Sequence, residues 1–309
     1  MRDAFTTALI GAAAADPSIV LLSGDLGFGV LDEFRNRFPA QFVNVGVAEQ
    51  NMASLAAGLG MTGHKVFTYS IANFPTLRCL EQLRNDVCYH AAPVVTVAVG
   101  GGMAYGALGP SHFATEDLAI LRALPEMTVL SPGDPHEVRA LLPQLLERGG
   151  PAYLRLGRAG EPKVHASDVP VVLGQPTGVL EGADVCLLAT GGMLPVAMEV
   201  GHGLLERHGV AASLFSVHTL KPLNEDALVE AVGQHPAVVT LEEHTVNGGL
   251  GGAVAEVLLE AGLTPRFLRV GLPPAFPSAI GSQEYLRSVL HLDAPSVQRR
   301  VLQFLSRGI

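Results

Sequence analysis

Short apolar runs alternate along the chain with longer stretches in which apolar residues return every three or four positions. The runs "IVLLSGD" (19–25), "QFVNVGV" (41–47), "KVFTYSI" (65–71), "PVVTVAV" (93–99), "MTVLSP" (127–132) and "AYLRL" (152–156) read as strands. Between them the helical period predicts helices near Phe5–Ala15, from Glu49 onward, near Thr76–Cys88, over "ATEDLAILRAL" (114–124) and over Pro135–Glu147. Near-continuous apolar strands alternating with helices describe a parallel sheet covered on both faces. The pattern lapses after residue 158 into a stretch rich in Gly, Pro and polar residues, a linker that carries a short strand. It then resumes with the strands "DVCLLAT" (184–190), "AASLFSV" (211–217), "AVVTLEE" (237–243) and "RFLRVGL" (266–272). Helices over Leu194–His208 and Asn224–Val232, and one leaving the turn "NGGLGG" for Glu260, separate these strands. The expected fold is α/β, with two consecutive doubly wound, mainly parallel-sheet domains at residues 1–158 and 182–309, joined by a linker at 159–181.

Composition narrows the class. Of 309 residues 48% are hydrophobic and only 16% charged, which points to surface hidden in an oligomeric interface. The net charge of −9, with no basic tract, argues against nucleic acid or an anionic membrane as partner. Cys79, Cys88 and Cys186 form no metal-type spacing and read as small apolar residues of a reducing compartment. The N-terminal residues lack the order of a signal peptide, and no apolar run reaches the roughly 18 residues of a membrane span, so the expected location is the cytoplasm.

One residue stands out against this apolar background. Glu49 opens a helix otherwise built from Ala, Leu, Gly and Met, directly after a strand. Open α/β sheets hold their ligands at that carboxyl edge. The helix macrodipole alone would also favour an acid there, by ~0.3–1 kcal/mol.

The stretch "NVGVAEQNMASLAAGLGMTGHKVFTYS" resembles the pyrimidine-binding domain of thiamine-diphosphate enzymes of the transketolase group, and so does "GALGPSHFATEDLAILRALPEMTVLSPGD". "LLATGGMLPVAMEV", "HTLKPLNEDAL" and "TLEEHTVNGGLGG" resemble that family's C-terminal domain. The resemblance implies thiamine diphosphate as cofactor, with Glu49 holding the far ring nitrogen of its aminopyrimidine. An apolar pocket favouring the protonated acid would serve that role. It implies Phe74, or Tyr69 in its stead, as the stacking platform, with Arg78 beside the site. Asp25 and Leu26 match an Asp-Leu pair next to the thiazolium. His112, in "GPSH", matches a histidine facing the substrate's reacting oxygens, as suits a proton carrier. Arg2 and Arg158 align with arginines that grip a sugar phosphate, and His64 is a further substrate-binding candidate, with His244 beside it in rank.

The chain also departs from that pattern. Gly100 and Leu108 stand where transketolases carry a sugar-reading histidine and aspartate, and Asn51 stands where many relatives have histidine. The family's "Gly-Asp-Gly" diphosphate and magnesium motif is absent: "GDL" (24–26) and "GDP" (133–135) do not fit it, and no metal ligands are expected here. The turn "NGGLGG" offers amides for an anion but reads as a tight helix–strand junction. The expectation is therefore a split site. A separate N-terminal subunit would bring the diphosphate domain and hold Mg2+, or another divalent cation, with two copies of each chain. Transfer of a two-carbon ketol unit from a ketose to an aldehyde is the leading function. The alternatives are the β subunit of a 2-oxo acid dehydrogenase decarboxylase and a non-catalytic partner.

Overall fold

The computed structural model describes residues 1–233 and 235–306. The first half lays down β1 (Ile19–Ser23), β2 (Phe42–Asn44), β3 (Lys65–Ile71), β4 (Val94–Val99), β5 (Thr128–Leu130) and β6 (Ala152–Leu156). Its helices are α1 (Arg2–Ala15), α2 (Asp32–Arg37), α3 (Glu49–Met61), α4 (Leu80–Gln82), α5 (Asp117–Ala123) and α6 (Pro135–Arg148). The second half adds β7 (Thr177–Leu180), β8 (Val185–Ala189), β9 (Ala212–Ser216), β10 (Thr219–Lys221), β11 (Ala237–Thr245) and β12 (Arg266–Leu272). Its helices are α7 (Leu194–His208), α8 (Glu225–Val232), α9 (Leu250–Glu260), α10 (Gln283–Val289) and α11 (Ala294–Ser306). None of the described helices is long and apolar enough to cross a membrane.

Two sheets result, both parallel except at one edge. The first runs β10-β5-β6-β4-β3-β1-β2 and the second β12-β11-β8-β9-β7. The expected two-domain α/β class is the observed one. Four elements went unread in the sequence: α2, β10, α10 and α11. The helix expected over 76–88 is a composite, a 3₁₀ turn at Leu77–Cys79 running through α4 into a π turn at Leu83–Cys88. Strand β10 is the larger surprise. Although it follows β9, it leaves the second sheet and pairs antiparallel with β5 of the first, Thr219 opposite Leu130. The tail of the expected linker also belongs to a sheet, since β7 pairs antiparallel with β9.

Alternation along the strands sorts side chains to two faces. Leu21, Phe67, Tyr69 and Val97 point to the layer holding α1 and α6. Val20, Leu22 and Val66 face α3, whose buried stripe Met52, Ala53, Ala56, Ala57 and Gly60 has helical spacing and small side chains that let it lie close to the sheet. This second core continues through Leu118 and Tyr153 to Leu188, Val238 and Val254 of the other domain. The three cysteines are free and buried within it, and burial pushes the Cys79 thiol up to about 12.

The domains also meet at a polar latch. Asp134 caps α6 by accepting from Glu137 N (3.0 Å), and its other oxygen accepts from Val164 N (3.0 Å) and His165 N (2.8 Å), pinning the linker. The preceding loop is fixed to the second domain by Gly191 N donating to Ser131 O at 2.9 Å and Ser131 N donating to His218 O at 2.8 Å. Glu137 is fully buried, and burial pushes its carboxyl up to about 7 despite the bond it accepts from Gly133 N (2.6 Å). Burial alone would lower the His165 pKa, but its bond to Asp134 and the charge of Glu137 outweigh burial and raise it.

Both groups hold a proton more tightly folded than unfolded. Their contribution to stability is therefore present below the ordinary values of 4.5 and 6.5 and is lost as pH rises through the folded ones. Chemical denaturation should show a lower midpoint at about pH 8 than at about pH 6, and Glu137→Gln should flatten that dependence because the amide does not titrate. An unchanged slope in the variant would remove Glu137 as its source.

Candidate functional site

Strands β1, β2 and β3 deliver their carboxyl ends to one edge of the first sheet, where the strand order reverses beside β1. The chain leaves β2 through Val45–Ala48 and enters α3 with Glu49, whose side chain is 3% exposed. Gly24, at the end of β1, lies against it: a Cβ there would sit in ordinary contact, 3.6 Å from Glu49 Cγ. Glu49 Oε2 accepts from Arg78 Nη1 at 2.9 Å, while Oε1 has no hydrogen-bond partner among the described residues.

The connection from β3 into the composite helix supplies the rest. The Arg78 guanidinium lies 4.4 Å from the Phe74 ring centroid, and that ring meets the His112 imidazole edge-on at 5.1 Å. His112 Nδ1 lies 3.0 Å from Ser111 Oγ. Glu49, Arg78, Phe74 and His112, spread over three segments of the sequence, thus form one contiguous group of a carboxyl, a cation, an aromatic face and an imidazole. Asp25 and Leu26 stand at the same edge across Gly24. Asp25 adopts φ +60° and trades bonds with Asn44, whose Nδ2 donates to Asp25 Oδ1 at 2.9 Å while Asp25 N donates to Asn44 Oδ1 at 3.1 Å.

Other expected residues fall elsewhere. Tyr69 is not a platform beside Glu49: strand alternation turns it to the opposite face, where it stacks on Phe5 at 6.3 Å. His64 lies at the amino end of β3, its Nδ1 facing Thr62 Oγ1 (3.2 Å) and Leu59 O (3.3 Å). The 13 residues of α3 put about 20 Å between it and Glu49, so it is not part of this site. His244 is buried at the domain seam, where its Nε2 accepts from Ala119 N (3.3 Å). The turn "NGGLGG" is already occupied, because Glu242 accepts from Leu250 N (2.7 Å) and Gly251 N (2.9 Å). Arg158 stands instead beside Tyr105, a residue that nothing in the sequence singled out. The Arg158 guanidinium stands 5.4 Å from the Tyr105 ring centroid. Burial raises the pKa of the Tyr105 phenol, and the charges of Arg158 and Arg2 oppose that rise.

The glycine-rich segment that carries both Tyr105 and His112 is closed at its neck. Gly102 N donates to Ala114 O (3.0 Å) and Ala114 N to Gly102 O (2.8 Å). A carboxylate from the second domain grips the neck: Glu243 Oε1 accepts from Met103 N at 2.6 Å, and its Oε2 accepts from Arg287 Nε at 2.5 Å. Arg155 completes the grip, donating through Nη2 to Ala114 O (2.6 Å) and Glu243 O (3.0 Å) and through Nε to Asp117 Oδ2 (2.9 Å). Beyond the neck, a cavity of about 650 Å³ opens between the domains, lined by Tyr105, Arg158, Arg155, Glu243 and Arg287.

Residues 1–161 match the family described as transketolase, pyrimidine binding domain, and residues 177–297 match the transketolase C-terminal domain. The chain is 34% identical over 310 residues to a putative transketolase C-terminal section of Methanocaldococcus jannaschii, covering 99% of this chain and 96% of that one. It is 34% identical over 308 residues to one subunit of an apulose-4-phosphate transketolase of Phocaeicola vulgatus, covering 99% and 97%. Among solved structures it superposes on a split-gene transketolase described as an inactive β4 tetramer, with a TM-score of 0.89, 38% identity and coverage of 99% and 98%.

Two outcomes follow from this geometry. Glu49→Ala should alter unfolding free energy by less than ~1 kcal/mol, since its one partner, Arg78, is 47% exposed and water replaces the lost bond. Glu243→Ala should cost ~3–5 kcal/mol, because it strands buried partners. It should also move the first cut in limited proteolysis into 103–113. Cleavage of the Glu243→Ala variant at the wild-type positions would refute the clamp.

Proposed function

The chain belongs to the transketolase family, and we propose that it is one component of a split, thiamine-diphosphate-dependent enzyme that transfers a two-carbon ketol unit from a ketose to an aldehyde. The observation that carries this reading is the contiguous group Glu49–Arg78–Phe74–His112, with one Glu49 oxygen free of any partner among the described residues. Such a group fits an aminopyrimidine. Glu49 holds a ring nitrogen through that oxygen, and Phe74 lends its ring as a stacking surface once Arg78 swings aside. When bound, the cofactor supplies a carbanionic carbon for attack on a carbonyl. His112, at the mouth of the site, moves a proton at the substrate's carbonyl oxygen as it becomes a hydroxyl.

The diphosphate end does not fit this chain. Among the described residues no group of three or more His, Cys, Asp or Glu side chains is arranged to hold a metal. We assign the diphosphate and its Mg2+ to a separate N-terminal subunit, with two copies of each chain in a cytoplasmic assembly. The docking face for it would run from the Glu49 end of α3 along the helix: Val47 is 75% and Leu55 37% exposed, followed by Met61 (57%) at the far end of α3 and Tyr89 (83%) at the end of the composite helix that runs alongside it. The sugar phosphate for which the Phocaeicola vulgatus relative is named supports a phosphorylated ketose as donor.

Calorimetric titration of thiamine diphosphate with Mg2+ should give binding to the assembled pair and none to this chain alone. Glu49→Ala in the pair should lower two-carbon transfer by at least about a hundredfold. Transfer by that variant at the wild-type rate would sink the assignment.

A further inference from the structure

On the side of the second domain, the interdomain cavity is bordered by the start of a helix. A 3₁₀ turn at Gly191–Met193 runs directly into the 15 residues of α7, and Gly191 and Gly192 both line the cavity. The amides of a helix start lack intrahelical acceptors and carry partial positive charge. Gly192 N is one of them, with no hydrogen bond among the described residues.

Two buried side chains share this corner. Ser131, directly after β5, is fully buried and lines the cavity, yet its Oγ has no hydrogen-bond partner. Arg155 is 4% exposed, and its Nε and Nη2 are engaged at the seam, whereas Nη1 makes no hydrogen bond among the described residues. Gly191 keeps the space between them clear. It has φ +55°, and a Cβ there would lie 2.6 Å from Ser131 Oγ and 3.6 Å from Arg155 Nη1. Arg287 closes the other side, its Nη2 donating to Gly192 O at 3.0 Å and its Nε to Glu243, with Nη1 left over.

The amide, the two guanidinium nitrogens and the hydroxyl can all donate, and no acceptor stands among them. The ligand that completes such a corner brings oxygens, as an oxyanion does. Charge narrows the class. Asp117 and Glu243 already balance the two guanidiniums, and Glu199 and Glu284 line the same cavity. What remains is the partial charge of the helix start, which suits one negative charge better than two.

We propose that this corner binds the carboxylate of a small organic acid, held by Ser131 Oγ and Arg155 Nη1 of the first domain and by Gly192 N and Arg287 Nη1 of the second. The site uses neither Arg2 nor Arg158, and it does not depend on the transferase reading above. Arg155 and Glu243 also hold the neck of the glycine-rich segment, so the acid acts as an effector: it ties the two domains together at the point from which His112 is positioned.

The chain alone is melted at about pH 8 in rising acetate, in rising methyl phosphate, which is then a dianion, and in KCl of matched ionic strength. Acetate should raise the midpoint beyond KCl and slow proteolysis within 103–113, with methyl phosphate needing a higher concentration for the same shift. Ser131→Ala removes a hydroxyl that bonds to nothing, so its midpoint without acetate should equal the wild-type one. It should need roughly tenfold more acetate for the same shift. No shift beyond KCl would overturn the proposal, and so would an equal acetate response in Ser131→Ala, which marks a general salt effect. Methyl phosphate acting at the lower concentration would overturn the choice of a carboxylate. Neither readout involves ketol transfer, so a pair that transfers nothing would overturn the transferase reading and leave this site standing.

Discussion

Asp117, Glu243, Arg155 and Arg287 are buried or nearly so between the two domains, with side-chain exposures of 0%, 2%, 4% and 17%. Charges taken out of water cost several kcal/mol each unless every lone pair and proton finds a partner of good geometry. The seam meets most of that demand by recruiting backbone from both sides, leaving Asp117 Oδ1 without a hydrogen bond. Carbonyls of Ala114 and Glu243 take the Arg155 donors, Met103 N and Gln283 supply the Glu243 oxygens, and Tyr153 Oη donates to Asp117 at 2.5 Å. Few alternative arrangements satisfy all of these groups at once. The position of the glycine-rich segment, and with it those of His112 and Tyr105, is therefore set by a domain that contributes nothing to the Glu49 group itself.

Glycines appear wherever a functional group intrudes on the backbone. Gly100 gives way to the Tyr105 ring and Gly102, at φ +66°, to the Glu243 carboxylate. In each pair the bulk has been removed from the sheet edge and returned from another element. This arrangement lets a sheet with mostly buried strands present polar chemistry at its carboxyl end without opening its core.

How much of this the sequence disclosed depended on the range of the interaction. Strand and helix periods lie within a few residues of one another, so both α/β domains were legible. Glu49 was legible too, since a carboxylate among Ala, Leu and Met at a strand-to-helix junction breaks the local pattern. Arg155 sat inside "AYLRL" and Glu243 inside "AVVTLEE" as ordinary strand ends, because their partners lie 38 to 140 positions away. Strand β10 was invisible for the same reason: its three residues find their partner in the other domain. Tyr69 and Phe74 could not be separated without knowing which face α3 covers, and once that face is known alternation excludes Tyr69. His64 was separable in principle, since it precedes its strand and so belongs to the edge opposite the site.

The Glu49 group differs in kind from the seam. At the seam the charged side chains are held within the chain, although Asp117 Oδ1, Ser131 Oγ, Glu137 Oε1 and His165 Nε2 have no hydrogen-bond partner. At the edge of the first sheet a buried carboxyl keeps one oxygen without a partner, a guanidinium rests half in solvent on an aromatic ring, and apolar side chains of α3 face outward. Unsatisfied buried groups and exposed apolar surface both reduce the stability of an isolated chain. At this edge that cost falls beside the residues that the proposed function uses. On the proposed reading a ligand and a second chain relieve it together: the free Glu49 oxygen gains a donor from the cofactor, and the apolar face of α3 is covered by the chain that brings the diphosphate. Each half then stabilises the other through the site they share, so ligand affinity and the affinity between the two chains must rise together.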